Sequence, residues 1–388
     1  MKVLFINSVA GIGSTGRIAA DQCRALMAQG HTCVLAYGRD KANCDDLFTR
    51  RIGTDLDCKL HGAATRLLDR HGFASSKATR EFLDWASEYD PDVLWLHNIH
   101  GYYLNIQLLF RWIKARPQMK VKWTLHDCWA FTGHCAYFDF VGCDRWMTGC
   151  CSCPQKDGYP ASRLLDNSKR NYGKKRELFS GVKDMTLIVP SKWLAGLVGK
   201  SFLKEYPVEV VYNTIDTDIF KPTESDFRRE HGLENKKILL GVASIWEKRK
   251  GLQDILTLAG MVDEDWHIVL VGTIPNFQDF KIPENVLVIP RTNSPQELAA
   301  IYTAADVLVN PTYEDNYPTV NLEALACGTP VITYRTGGSP ESLDETCGAV
   351  VEREPAALWA AVKNATFKKE ACLHRSMHLN ARKQITLT

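Results

Sequence analysis

Three carboxylates, Glu314, Asp315 and Glu323, lie close together with Asn316 in the stretch Asn310 to Ile332, NPTYEDNYPTVNLEALACGTPVI. Pro318 suits the first position of a helix, where its missing N–H is not needed, and Gly328 suits the residue just past the end. The spacing therefore predicts a helix from about Pro318 to Cys327. Its free N–H groups and positive dipole end point back to the loop of Glu314, Asp315 and Asn316, which makes an anion site with carboxylates beside it. Such a site suits a nucleotide sugar. The diphosphate can rest on the helix N-terminus while Glu323, over one turn in, accepts hydrogen bonds from sugar or ribose hydroxyls. Asp315 can do the same for a transferred sugar. Taken alone, the stretch also reads as an ordinary capped surface helix.

Other residue types with chemical potential precede it. Gly11, Gly13 and Gly16 spell GxGxxG after the first apolar run, a pattern of dinucleotide-binding loops. Here Asn7 to Ala10 intervene before the first glycine, and the second strand ends on Tyr37-Gly38-Arg39 rather than on an acid. The other reading is a flexible loop whose N–H groups, with Arg17, serve a donor phosphate or an acceptor. His97, Asn98 and His100 follow one buried run, and His126 with Asp127 follows another; residues at such strand ends face ligands in α/β folds, with Asp127 placed to set the His126 tautomer. Cys135, Cys143, Cys150 and Cys153 could close a tetrahedral zinc site, with Cys150 and Cys153 as its tight C-x2-C half. A buried cluster of free thiols or redox chemistry are the other readings. Arg163, Lys169, Arg170, Lys174, Lys175 and Arg176 form a basic stretch interleaved with Leu164, Leu165, Tyr172 and Leu178. It reads either as a solvated helix face or as a contact with anionic lipid.

The spacing of Asp315 and Glu323, followed by NLEALACGTPVI, resembles the E-x7-E signature of glycosyltransferase family 4. The resemblance implies an α/β GT-B fold, two facing Rossmann-like domains with a cleft between them, and retaining transfer from a UDP- or GDP-linked sugar. Either Glu314 or Asp315 is the first acid. His126, in TLHDCWAFTGHC, resembles the family histidine beside the sugar. Lys250-Gly251 matches the family lysine that grips the donor diphosphate. Ser244 or Ile245 occupies the arginine slot, which assigns the second cation to Arg249. The need is general, because sugar–phosphate cleavage leaves negative charge that protein cations must stabilise when no metal does. HDCWAFTGHC and GCDRWMTGCCSCP resemble a subset of colanic-acid and capsule-type transferases. The resemblance thus implies His126, Asp315 and Lys250 as catalytic. It implies Gly13, Gly16, Arg17, Arg249, Lys250, Glu314, Asn316 and Glu323 around the donor, no cofactor for catalysis, and a glycan or lipid-linked saccharide acceptor. An NAD-dependent oxidoreductase or nucleotide-sugar epimerase using the glycine loop, and a non-catalytic zinc-organised binding protein, are the alternatives.

The elements that must position these groups are legible as periodicity. Apolar runs at Val3 to Ile6, Cys33 to Ala36, Val93 to Leu96, Val121 to Leu125 and Leu187 to Val189 alternate with amphipathic segments, the pattern of a buried parallel sheet. A second series covers Ile238 to Ala243, Ile268 to Val271, Val286 to Ile289, Val307 to Val309 and Val331 to Tyr334. Ser294, Pro295 and Glu297 predict a capping-box helix start between them. The turn-rich YNTIDTDIFKP, resembling the family's inter-domain crossing, divides an acceptor-side domain, 1–215, with a Cys-rich insertion at about 133–160, from a nucleotide-sugar-binding domain, 216–388. The 388 residues, 45% apolar and 24% charged, have room for two cores. A net charge of +2 argues against general nucleic-acid binding. No secretory signal or bilayer-length apolar run is visible, so a cytoplasmic location is expected, peripheral on the inner face of the inner membrane if the basic stretch meets lipid. The 13 cysteines are then expected to be mostly reduced.

Overall fold

A computed structural model describes residues 1–381, which form two compact units divided between Val211 and Tyr212. In the first unit, strands β1 (Lys2–Asn7), β2 (Thr32–Tyr37), β3 (Thr49–Arg51), β4 (Val93–Leu96), β5 (Lys120–Thr124), β6 (Met185–Val189) and β7 (Val208–Val210) form one sheet in the order β3-β2-β1-β4-β5-β6-β7. Every neighbouring pair is parallel. Helices α1 (Gly13–Ala28), α2 (Asp55–Leu68), α3 (Ser76–Tyr89), α4 (Ile106–Lys114), α5 (Ser168–Phe179) and α6 (Lys192–Val198) connect them. The central strands read as unbroken apolar runs because both faces are covered: Val3 to Ile6 and Val93 to Leu96 are all buried.

The second unit repeats the plan. After α7 (Phe227–Glu230) come β8 (Lys237–Ile245), α8 (Leu252–Ala259), β9 (Trp266–Thr273), β10 (Val286–Ile289), α9 (Pro295–Ala304), β11 (Val307–Asn310), α10 (Thr319–Ala326), β12 (Val331–Tyr334), β13 (Gly348–Val351), α11 (Pro355–Lys363) and α12 (Lys369–Ala381). Its parallel sheet runs β10-β9-β8-β11-β12-β13. Both α/β units are therefore doubly wound. The order reverses between β1 and β4 in the first and between β8 and β11 in the second, and ligands bind at the carboxyl ends of strands beside such a reversal.

Every apolar run noted in the sequence forms a strand. The short edge strands β3 and β7 escaped, having few apolar residues, as did β13. Pro318 stands one residue outside α10, with extended backbone at φ −68° and ψ 121°, and Cys327 is the cap at the other end. Ser294 caps α9 as expected, accepting from the Glu297 N–H at 3.1 Å, while the Glu297 carboxylate reaches the N–H of Asn293 at 2.6 Å.

Gly251 begins α8 with φ +76°, and a Cβ there would lie 2.2 Å from the carbonyl oxygen of Pro311. The backbone after β8 thus presses directly on the backbone after β11, a contact that only glycine permits. Gly232, at φ +65°, faces open space. Gly251→Ala is expected to destabilise the protein by about 2 kcal/mol or more, combining left-handed strain with a backbone clash, whereas Gly232→Ala should cost only about 1 kcal/mol. Urea unfolding of the two variants checks the difference.

Candidate functional site

In the second unit the loops leaving β8 and β11 flank the strand-order reversal. Lys248–Lys250 forms one 3-10 turn ended by Gly251, which aims Arg249 and Lys250 at the neighbouring loop. The Lys250 ammonium meets the Asp315 carboxylate at 2.5 Å, and the Arg249 guanidinium lies 3.8 Å from the same oxygen. Arg249 also donates to the Glu314 carbonyl at 2.6 Å, and its own carbonyl accepts from the Tyr313 N–H at 2.7 Å. Burial would raise the Asp315 pKa, but the charges of Lys250 and Arg249 outweigh it and hold the carboxyl below its ordinary value. Of the two adjacent acids, Asp315 therefore faces the cations. Glu314 is wholly buried, and Asn316 is buried beside it.

Helix α10 starts immediately after this loop with no side-chain cap. Asn321 fixes its orientation: its side-chain oxygen accepts from Asn310 at 2.9 Å, and its amide donates to Ser339 and Ser342 at 3.0 Å each. Glu323, 5% exposed, accepts from the Tyr302 hydroxyl at 3.0 Å. Behind the loop, Asp254 accepts from the hydroxyls of Tyr313 and Tyr334 at 2.9 and 2.6 Å. The expected residues Arg249, Lys250, Glu314, Asp315 and Asn316 thus converge, with Glu323 over one turn further along α10. The sequence did not single out Tyr302, Asn321 or Asp254. Nothing in their local pattern marks a polar residue as buried in a network.

In the first unit the loops after β1, β4 and β5 carry the other candidates. Gly11 and Gly13 adopt φ +71° and +62°, while Gly16 lies in the first turn of α1, where a Cβ would press on Val9 at 3.0 Å. Arg17 is exposed on that turn. Gly38, where a dinucleotide fold places its acid, packs against Tyr103, whose ring would stand 2.0 Å from an added Cβ. The position directly after β2 therefore carries no carboxylate, and the first acid, Asp40, follows two residues later.

His97 Nδ1 lies 3.0 Å from His126 Nε2, and the two rings stack with centroids 5.2 Å apart. Asp127 accepts from the Trp129 N–H at 2.9 Å and lies 3.0 Å from His100 Nε2. His126 thus pairs with His97, and the Asp127 carboxylate also meets His100. His100 Nδ1 lies 3.2 Å from the Tyr159 hydroxyl. Behind them, His71 Nε2 accepts from the Gly101 N–H, and His61 Nε2 from the Gly72 N–H, both at 3.1 Å. Accepting from a backbone N–H requires an unprotonated nitrogen, so these imidazoles are neutral. Burial pushes His126 and His61 down to about 4 and His71 and His97 well below the ordinary histidine value.

The cysteines Cys135 and Cys150 are buried, Cys143 and Cys153 are half-buried, and all four are free thiols. Of the basic stretch, Arg163, Lys169, Arg170 and Arg176 are exposed, but Lys175 is buried. Its ammonium donates to the Trp129 carbonyl at 2.7 Å and sits 3.3 Å from the Trp129 ring centre. The reading of all six as one exposed face is corrected there.

Residues 223–384 match the family model Glycosyl transferases group 1. The chain is 25% identical over 369 residues to the putative colanic acid biosynthesis glycosyl transferase WcaC of Escherichia coli, a match spanning 91% of this chain and 88% of that one. Among solved structures it resembles sucrose-phosphate synthase from Thermosynechococcus elongatus, with a TM-score of 0.69, 16% identity and coverage of 98% and 93% of the two chains. It also resembles HepE from Anabaena in complex with UDP, with a TM-score of 0.67, 14% identity and coverage of 98% and 95%. These likenesses establish the GT-B fold.

The neutral histidines fix a pH dependence. An unfolded chain binds protons at His61 and His126 near pH 6.5 that the folded chain refuses until about pH 4. The stability these groups contribute is complete above about pH 6.5 and falls as the pH drops towards 4. Urea midpoints should therefore fall between pH 7 and pH 5, and His61→Gln should reduce that slope.

Proposed function

We propose that this glycosyltransferase, whose second unit carries the group 1 domain, moves a sugar from a UDP- or GDP-linked donor to a glycan or polyprenyl-linked saccharide with retention of configuration. The convergence of Arg249, Lys250 and Asp315 beside the start of α10 carries the reading. A donor diphosphate needs cations at its oxygens when the glycosidic bond breaks, and Lys250 with Arg249 supplies them beside the helix N-terminus. Glu323, already accepting from Tyr302, takes the ribose hydroxyls. Asp315 and Asn316 serve the transferred sugar, and neutral His126, held by His97, orients hydroxyls in place of donating a proton.

The acceptor oxygen forms a bond to the anomeric carbon as the carbon–phosphate oxygen bond breaks on the same face. The acceptor proton passes to the departing phosphate oxygen. No protein nucleophile enters this sequence, and the protein's work is orientation and charge stabilisation. HepE, with the same fold, is described in complex with UDP, which favours a uridine donor. The likeness to WcaC favours a role in surface-polysaccharide synthesis.

A polyprenyl-linked acceptor would require the enzyme at a membrane. No helix among the described residues is long and apolar enough to cross one. Leu56, Leu60 and Leu67 instead form an exposed stripe on α2, at 64%, 61% and 48% exposure, and Leu164 is 67% exposed. The Arg163 N–H donates to the Arg66 carbonyl at 2.7 Å, which joins the two segments. Lys59 and Arg66 on the same helix, and Arg163, Lys169 and Arg170 on the second segment, are exposed. Exposed leucines with exposed cations on the same two segments favour contact with an anionic leaflet, here the cytoplasmic face of the inner membrane.

UDP or GDP should raise the Tm of the protein, NAD should not, and Lys250→Ala should abolish the shift. Lys250→Ala and Glu323→Ala are each expected to slow transfer by at least ~100-fold, the effect of losing one charge-stabilising group. Near-normal turnover of either variant would remove the assigned role. Separately, the protein should sediment with phosphatidylglycerol vesicles and not with phosphatidylcholine ones, and the double variant Leu60→Glu, Leu67→Glu should remain in the supernatant.

A further inference from the structure

Between β5 and α5 the chain runs through residues 125–167 with only three short 3-10 turns, Trp129–Phe131, Asp139–Val141 and Arg145–Met147. A structureless connection of that length inside a compact domain is unusual and needs its own means of ordering. Its start, with Leu125, Trp129 and Ala130, joins the main core, and further along Phe131, Phe138 and Trp146 pack together, with ring centres 4.9 to 6.3 Å apart. Beside these rings, Cys135, Cys143, Cys150 and Cys153 line one small cavity, with the exposed Cys151 at its edge. They come from separate turns of the loop, and Cys135 and Cys153 are within thiol hydrogen-bonding reach of each other.

Two features beside the thiols favour sulfur carrying negative charge. The Gly133 N–H donates to Cys150 Sγ at 3.2 Å. That approach requires glycine, because a Cβ at Gly133 would lie 2.7 Å from the Cys150 Cβ and 2.1 Å from the Ser168 carbonyl oxygen. Lys175, 1% exposed, has its hydrogen bond to a carbonyl rather than to a carboxylate. A buried ammonium calls for a compensating anion, and Cys150 and Cys135 lie close enough to act on it electrostatically.

We propose that Cys135, Cys143, Cys150 and Cys153 together bind one structural zinc ion that orders the loop between β5 and α5. Four thiols lose four protons and the ion takes their sulfurs tetrahedrally, leaving a cluster of net charge −2 beside the Lys175 ammonium and the Gly133 N–H. Among the described residues no three His, Cys, Asp or Glu side chains already stand in a metal-holding arrangement. Metal binding therefore has to gather Cys143 and Cys150 with the Cys135–Cys153 pair into a tetrahedron, as expected when a site forms together with its ion. Soft thiolate ligands without oxygen or nitrogen donors select zinc over magnesium, calcium or manganese. A disulfide between Cys135 and Cys153 would use two of the thiols and leave Cys143 and Cys150 without a shared role.

Elemental analysis of the full chain, purified without a metal-affinity step from zinc-supplemented cells, tests this. One zinc per chain is expected, with Cys151→Ser, at an exposed thiol outside the set, retaining it, and Cys150→Ser or Cys153→Ser losing it. In case those two variants fail to fold, cobalt(II) exchanged into the wild-type protein should give the visible absorption of a tetrahedral thiolate site. Absence of zinc, iron in its place, loss of zinc in Cys151→Ser, an octahedral cobalt spectrum, or a mass 2 Da low from an intramolecular disulfide would each overturn the proposal. Thermal shift by UDP or GDP, measured on the same samples, reports separately on the donor site.

Discussion

Two cations must be held half out of water, close together, at the edge of a sheet, and the architecture of the second unit follows from that constraint. Arg249 and Lys250 would repel each other and retreat to solvent without an anion, and Asp315 supplies it from the facing loop. The pairing demands that the loops after β8 and β11 touch, which Gly251 permits by omitting its side chain. It also demands that the second loop keep its shape. Backbone bonds from Tyr313 to Arg249, tyrosine hydroxyls on Asp254 and the Asn321 network behind α10 secure it. Strand order places both loops at the reversal point, where a ligand can reach them.

The first unit solves the opposite problem. Its site is built from imidazoles that are buried and kept neutral, so their polarity is directional instead of charged. Backbone N–H groups of Gly72 and Gly101 lock the tautomers of His61 and His71 at the back of the cluster. Nearer the β4 and β5 ends, His97 and His126 meet nitrogen to nitrogen and stack ring on ring. Neutral rings of this kind suit hydroxyl groups, while the charged loop of the second unit suits phosphate.

How much of this was legible depended on how local the cause was. The core strands were readable because a buried parallel strand needs consecutive apolar residues, and Val3 to Ile6 or Ile268 to Val271 admit little else. The edge strand Thr49–Arg51 was not, since it has water on one side and borrows its geometry from β2. Asp315 and Glu323 stood out through their spacing along one short stretch, and Lys250 through the likeness of Lys250-Gly251 to the family lysine. Their supports Tyr302, Asn321 and Asp254 did not, because each acts on a partner distant in sequence. Lys175 is the clearest failure of local reading: in a run of basic residues it is indistinguishable from Lys174, yet the helix turns it onto Trp129. The contact of Asp127 with His100 was equally hidden, since 27 positions separate the two in the chain.

The Lys250–Asp315 pair also bears on how an incoming ligand experiences the loop. Lys250 is already engaged, so at the proposed donor site a diphosphate would not fall into a vacant positive field; it would take the place of the Asp315 carboxylate. Occupation is then an exchange of one anion for another, and its free energy is the difference between two attractions. An exchange of that kind carries a smaller ionic-strength dependence than binding to bare cations, because added salt weakens the outgoing and the incoming pair together.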